Sequence, residues 1–292
     1  MSAIREYPFR TWRPAIEEAV RREAQSALEA GCVLFFPQLA FEVAPDERQY
    51  LSPKWSDGKS KNVSLRSAGA RLRGAVGTAA ELAGLSAMTQ RFADSSATLV
   101  AALFPGYVAR LSRARTSFRP APAADRELSW RKDDTRMHVD AFPSNPLHGR
   151  RIFRVFSNIN PAGMPRVWRI GEPFEEMARR FLPAVPKQSR ALALLMAAVG
   201  ITKARRSEYD HVMLHLHDLA KADLDYQRTS CREEFRFPAG STWVCFSDQV
   251  MHAATDGQYM LEQTSYLPVT ALGEPATSPL RVLERLAGHP LV

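Results

Sequence analysis

One short pattern constrains the fold of this chain more than any other. His138-Val139-Asp140 is followed, 114 positions after its histidine, by His252. In an extended strand, residues i and i+2 point to the same face. His138 and Asp140 would then aim one imidazole and one carboxylate at a single point. Those are two of the three groups in the facial two-histidine, one-carboxylate arrangement that holds Fe(II) and leaves the opposite octahedral face open. If His252 is the third, the fold must lay two distant segments side by side. The surrounding sequence favours this. Pro238-Ala239-Gly240 reads as a turn, 242–247 as a strand, and His252 follows a short turn before another strand at 258–269. H-x-D alone is common, so a surface His138 and a satisfied core His252 are the competing reading. His211, His215 and His217 form a second candidate group, with Asp210 or Asp218 as the nearby carboxylates. Packing or substrate contact suits that group better.

The remaining elements frame the pattern. Residues 16–31 carry apolar positions at helical spacing and end in Gly31, a C-cap residue. Residues 32–36 (CVLFF) read as a short buried strand. Residues 46–61 form a polar loop whose Gly and Lys spacing is wrong for a P-loop. Residues 74–104 are Ala-rich, and the reading is two helices broken near Gly84. Residues 108–120 place Arg110, Arg113, Arg115 and Arg119 in a strand with one basic face, solvated or lining an anion-binding cleft. Residues 149–160 (GRRIFRVFSNIN) are a strand rich in β-branched and aromatic residues. Residues 173–226 are a helical insertion, with helices expected over 174–181, 189–199 and 217–226. A surface helix is expected over 279–287. There is no internal repeat or low-complexity linker, so one domain over 1–292 is expected, an α+β fold.

Charge narrows the partners. The net charge is +8, and such a surface prefers anions. The basic residues have few interleaved aromatics, so nucleic acid is not expected. Three isolated cysteines without zinc spacing fit a reducing compartment. The N-terminal residues have no apolar signal core, and the longest apolar run, 191–201, is too short to span a bilayer. A cytoplasmic protein is expected. Its oligomeric state is not legible.

Several longer motifs add a family resemblance. SWRKDDTRMHVDAFPS, GRRIFRVFSNINP, FPAGSTWVCFSDQVMHAA and MLEQTSYLP, together with the loop SDGKSKN, resemble the Kdo (3-deoxy-D-manno-oct-2-ulosonic acid) hydroxylases over most of the chain. These are Fe(II)/2-oxoglutarate/O2-dependent dioxygenases of Gram-negative bacteria. The resemblance implies a double-stranded β-helix (jelly-roll) core flanked by helices. It implies hydroxylation of Kdo at C3, giving Ko in the lipopolysaccharide inner core, with release of succinate and CO2. It makes His138, Asp140 and His252 the iron ligands and catalytic centre. It also implies a Kdo–lipid A substrate and a peripheral place at the anionic inner membrane.

One departure matters. Many relatives in the wider superfamily carry an arginine about ten residues after the distal histidine, to pair with the 2-oxoglutarate 5-carboxylate. Here that window reads Glu262-Gln263-Thr264. A buried carboxylate needs a cation. Arg154, among apolar neighbours on the strand after the metal motif, is the candidate, with Gln263 adding a hydrogen bond. Arg119 and Arg136 are alternatives. Arg110, Arg113, Arg115, Arg119, Arg131, Lys132 and Arg136, with Lys59 and Lys61 on the polar loop, are candidates for reading substrate anions. Two other functions stay open: an oxygenase acting on protein or nucleic acid, and a jelly-roll sugar-binding module without redox turnover.

Overall fold

The structure, a computed structural model, describes residues 2–66, 69–122 and 129–292. The chain opens with β1 (Ile4–Glu6), α1 (Glu18–Glu29) and β2 (Val33–Phe36). Gly31, at φ +94°, turns the chain from α1 into β2, a conformation that glycine adopts without strain. Next come β3 (Val63–Leu65), α2 (Ala79–Leu103), β4 (Ser112–Arg119), β5 (Arg151–Asn158) and β6 (Arg166–Ile170). Four helices follow: α3 (Phe174–Phe181), α4 (Arg190–Ala198), α5 (Glu208–Ala222) and α6 (Leu224–Thr229). Then come β7 (Glu233–Phe237), β8 (Thr242–Phe246), β9 (His252–Asp256), β10 (Met260–Leu267) and α7 (Pro279–Ala287).

Two helical expectations need correction. Residues 79–103 form one 25-residue helix, opened by a capping box between Thr78 and Glu81. Gly84 does not break it. A Cβ there would lie 2.1 Å from the Tyr50 hydroxyl, so the glycine makes room for a neighbour. The helix expected over 217–226 is two helices. Ser207 and Asp210 cap the start of α5, and Asp223 ends α5 while its side chain caps α6.

Among the described residues, seven strands form one sheet in the order β1-β2-β8-β5-β10-β4-β3, and three form another in the order β7-β6-β9. The pairs are antiparallel except β1 with β2. The fold is mixed α+β. Strand alternation gives the large sheet two different faces. Phe153, Val155, Leu261 and Phe118 pack with Leu99 and Leu103 of α2 in the helix-side core. The opposite face meets the small sheet. There Val33, Phe35, Phe156, Trp243 and Cys245 pack against Trp168, Ile170, Phe237 and Ala254. Phe237 stacks on Trp243 at 4.1 Å, and Trp168 meets the same indole edge-on at 5.7 Å. This aromatic packing fixes one sheet on the other. Towards β10 and β4 the same face turns polar, with Arg154, Glu262, Thr264, Arg115 and Arg119 lining a cleft.

Candidate metal centre

His138 lies on an extended segment antiparallel to the start of β9. Its backbone N–H donates to the His252 carbonyl at 2.9 Å, and the His252 N–H donates back to the His138 carbonyl at 2.9 Å. The Asp140 N–H donates to the Ser247 carbonyl at 2.8 Å, holding the segment extended. The two imidazoles therefore stand side by side, ring centroids 4.7 Å apart. Ligand atoms of His138, Asp140 and His252 all lie within 4.8 Å of one another. Among the described residues no second group of three such ligands forms. His211 and His215 are neighbours on α5, but the His211 Nε2 faces the Pro186 carbonyl and the His215 Nδ1 faces the His211 carbonyl.

Backbone carbonyls orient both candidate histidine ligands. Nδ1 of His138 donates to the Arg136 carbonyl at 2.7 Å, and Nδ1 of His252 to the Val250 carbonyl at 2.8 Å. A carbonyl only accepts, so the proton sits on Nδ1 and the Nε2 lone pair faces the site. Trp168 stacks on His252 at 4.8 Å, and His217 meets His138 edge-on at 5.4 Å. Burial lowers both imidazole pKa values; Lys221 and His252 lower that of His138 further, while Asp140 partly opposes the effect at His252. Burial alone would raise the pKa of Asp140. Arg154, His252 and His138 outweigh it and hold the carboxyl well below the usual range. The buried Oδ2 of Asp140 has no hydrogen-bond partner. Two neutral imidazoles with inward lone pairs and one ionised carboxylate with an unsatisfied oxygen fit a divalent cation of the Fe(II) type.

Arg154 sits beside this group. Its guanidinium is 3.2 Å from Asp140 Oδ2 and 3.2 Å from Glu262 Oε1. Glu262 also takes Arg119 at 2.7 Å, and Arg119 reaches Asp134 at 3.0 Å. Burial opposes the charge on Arg154 and on Glu262, and their opposite-sign neighbours more than restore it. Ten residues after His252, this chain thus carries an anion where the common superfamily pattern has a cation. The cations come from adjacent strands instead.

A cleft of about 1260 Å³ opens over the three residues. Its lining holds twelve Arg and Lys side chains against four carboxylates, so it favours anionic ligands. Arg119, Arg131, Lys132, Lys61, Arg113 and Arg115 line it. Four candidates do not; the first, Arg110, donates instead to the Thr270 hydroxyl at 3.3 Å. Gln263 is one residue out of phase with Glu262 and Thr264, so it faces the other side of β10. There it accepts from Thr116 and donates to the Arg115 and Thr264 carbonyls. Arg136 is turned to the Lys221 carbonyl and Asp133. Lys59 is exposed on the loop, where the Asp57 side chain accepts from its backbone N–H, and only the next lysine, Lys61, reaches Asp134. Sequence reasoning did not single out Arg66, Arg73, Arg166, Trp168, Lys203 and Lys221, which also line the cleft. Lys221 is buried, and burial holds its pKa down to about 8 against the pull of Asp134. For Arg166 and Trp168 the available signal was strand alternation on β6, which sends both, two positions apart, to one face.

The model of the 3-deoxy-D-manno-oct-2-ulosonic acid (Kdo) hydroxylase family matches residues 11–290. A search of curated proteins found no match. Among solved structures, the chain is similar to the Kdo hydroxylase KdoO, a non-heme Fe(II) α-ketoglutarate-dependent dioxygenase. Against its cobalt(II) complex the TM-score is 0.97 at 46% identity, covering 100% of this chain and 98% of that one. Against its complex with α-ketoglutarate and Fe(III) the TM-score is 0.95 at 46% identity, covering 99% and 97%. Against its complex with succinate and Fe(III) the TM-score is 0.95 at 46% identity, covering 100% and 98%. With its family model matched almost end to end, this chain belongs to the Kdo hydroxylases.

Proposed function

We propose that this protein is an Fe(II)/2-oxoglutarate-dependent dioxygenase that hydroxylates Kdo at C3, giving Ko in the inner core of lipid A-linked lipopolysaccharide. The observation that carries the reading is a His-Asp-His cluster at the base of a strongly cationic cleft, in a chain of this family. The two facing sheets serve as a double-stranded β-helix core in one domain over 1–292. The helices from α3 to α6 are an insertion between its halves.

His138, Asp140 and His252 would hold the iron. Bound Fe(II), with 2-oxoglutarate and O2, supplies the oxidising power that places one oxygen on the sugar and leaves succinate and CO2. The protein binds, orients and shields. The carbonyls of Arg136 and Val250 keep both imidazole lone pairs aimed inward. Arg154 anchors the distal carboxylate of 2-oxoglutarate, since it already lies against a metal-ligand carboxylate and its fork suits bidentate binding. Arg119, Arg131, Lys132 and Lys61 on the cleft wall receive the carboxylates and phosphates of the acceptor. An acceptor anchored in lipid places the enzyme at the cytoplasmic face of the inner membrane. The association we propose is peripheral; among the described residues no helix is long and apolar enough to cross a membrane.

The test incubates the Fe(II)-loaded protein with 2-oxoglutarate, O2 and Kdo–lipid A. Succinate should form in step with a gain of one oxygen on the Kdo unit, read by mass spectrometry. Succinate release without acceptor oxidation would sink the substrate assignment.

A further inference from the structure

Helix α4 is arranged backwards for a surface helix of a soluble protein. Within it only Ala193 is buried, while Leu192, Leu194 and Leu195, with Val199 and Ile201 just past its end, are each more than half exposed. Five of the ten large hydrophobic residues exposed among the described residues therefore fall within ten positions. Leu192, Leu195 and Val199, at i, i+3 and i+7, form one stripe along the outer face. The helix is well made. Ser189 caps its start, and at its end Gly200, at φ +74°, lets Gly200 N–H reach the Ala197 carbonyl and Ile201 N–H the Met196 carbonyl. Its apolar face is thus a defined surface.

The charge around it has one sign. From Met177 to Ser207 the sequence has no Asp or Glu, and Lys187, Arg190, Lys203, Arg205 and Arg206 flank the apolar stretch. The segment is also tied to the cleft. Lys203 N–H donates to the Ser144 carbonyl at 3.1 Å and its Nζ to Asn145 Oδ1 at 3.1 Å; Lys203, Ser144 and Asn145 all line the cleft.

We propose that α4 is an interfacial helix that docks this enzyme on an anionic lipid surface, with its leucines among the headgroups and upper acyl chains and the flanking cations on lipid phosphates. An apolar face rimmed by cations is what such a surface binds. Docking there brings the cleft mouth to the membrane, where a lipid-linked acceptor presents its sugar. The inference rests on the proposed lipid-linked substrate for its purpose, though not for its measurement.

The experiment is co-sedimentation of the Fe(II)-loaded protein with vesicles of phosphatidylethanolamine and phosphatidylglycerol, or of phosphatidylcholine. Wild type should partition onto the anionic vesicles at least about tenfold better. The combined variant Leu192→Gln, Leu194→Gln, Leu195→Gln should lose about tenfold or more of that partition. Arg190→Gln with Arg205→Gln should weaken it and flatten its salt dependence. With a soluble, deacylated Kdo acceptor the triple variant should keep wild-type kcat and KM, and with a vesicle-embedded acceptor it should turn over about tenfold more slowly. Unchanged vesicle binding by the triple variant overturns the proposal, as does equal wild-type binding to phosphatidylcholine. A wild-type dimer that the triple variant converts to monomer, with no vesicle binding, also overturns it and assigns the face to a second copy of the chain. Leucine-dependent vesicle binding without succinate formation on either acceptor would support the docking surface and remove the sugar substrate.

Discussion

Two arginines three positions apart on β5 are both buried and both paired with carboxylates, yet they are held in different ways. Arg151, on the helix side, is fully buried. Its Nε donates to Asp248 at 2.8 Å, its Nη2 to Gln249 at 2.6 Å, and its guanidinium lies 3.9 Å over Phe246. Asp248 also accepts from the Ile152 N–H at 3.1 Å. Of the Arg151 nitrogens, only Nη1 lacks a partner. Arg154, on the cleft side, stands 3.2 Å from each of two carboxylates, but its Nε and the Oδ2 of Asp140 have no hydrogen bond. In the first pair both oxygens of Asp248 are occupied, and it holds the fold together. The second is a set of charges gathered without full satisfaction, which a cation and a dicarboxylate would complete. The same residue type on the same strand is tied into the core on one face and stands beside the proposed metal centre on the other.

The strongest way to break this contrast is to remove a charge at the metal. Asp140→Ala should abolish iron retention and succinate formation while circular dichroism remains native; an active variant would refute the assignment. Arg151→Met should come next, because it strands Asp248 in the core. A loss of about 3–5 kcal/mol in denaturant unfolding is expected, and Arg151→Met with Asp248→Leu should recover most of it. Arg154→Met should act mainly on ligand. Its KM for 2-oxoglutarate should rise about thirtyfold, the equivalent of roughly 2 kcal/mol, and saturating Fe(II) should restore its thermal stability but not that of Arg151→Met. If both variants behave alike, the contrast is lost.

The smallest effect is on pH. His138 and His252 are held below the ordinary histidine value of 6.5 when folded. Below that value the unfolded chain binds protons that the buried imidazoles resist. Stability of the metal-stripped protein should therefore fall as pH drops from about 7 towards 5, by on the order of 1 kcal/mol per group, and return as pH rises. Melting curves after chelation test this. A flat profile would mean that the two rings are solvated.

What the sequence made legible was the part with local grammar. H-x-D, the turn and strand before His252, and an arginine among apolar neighbours could all be read from spacing, and the structure brings those residues together. Parity was also present but misapplied. Glu262 and Gln263 cannot both face the cleft, and β10 turns the glutamate inward. The reciprocal charge arrangement was not visible, because it depends on which strands lie beside β10. The pairing Thr264 with Arg154, and Met260 with Arg119, joins segments more than a hundred positions apart. Gly84 failed as a helix breaker for a related reason: the Tyr50 hydroxyl that requires it comes from a separate short 3-10 helix, Glu47–Tyr50.

The reciprocal backbone bridge between His138 and His252 has a consequence for biogenesis. The separation of the two imidazoles is set by peptide hydrogen bonds between segments that emerge far apart during synthesis, not by side chains adjusting to a metal. If the two segments slipped by a single residue, one imidazole would turn to the opposite face and the site would be lost outright. Three-ligand iron binding by a newly made chain would then report that these two segments have met in register.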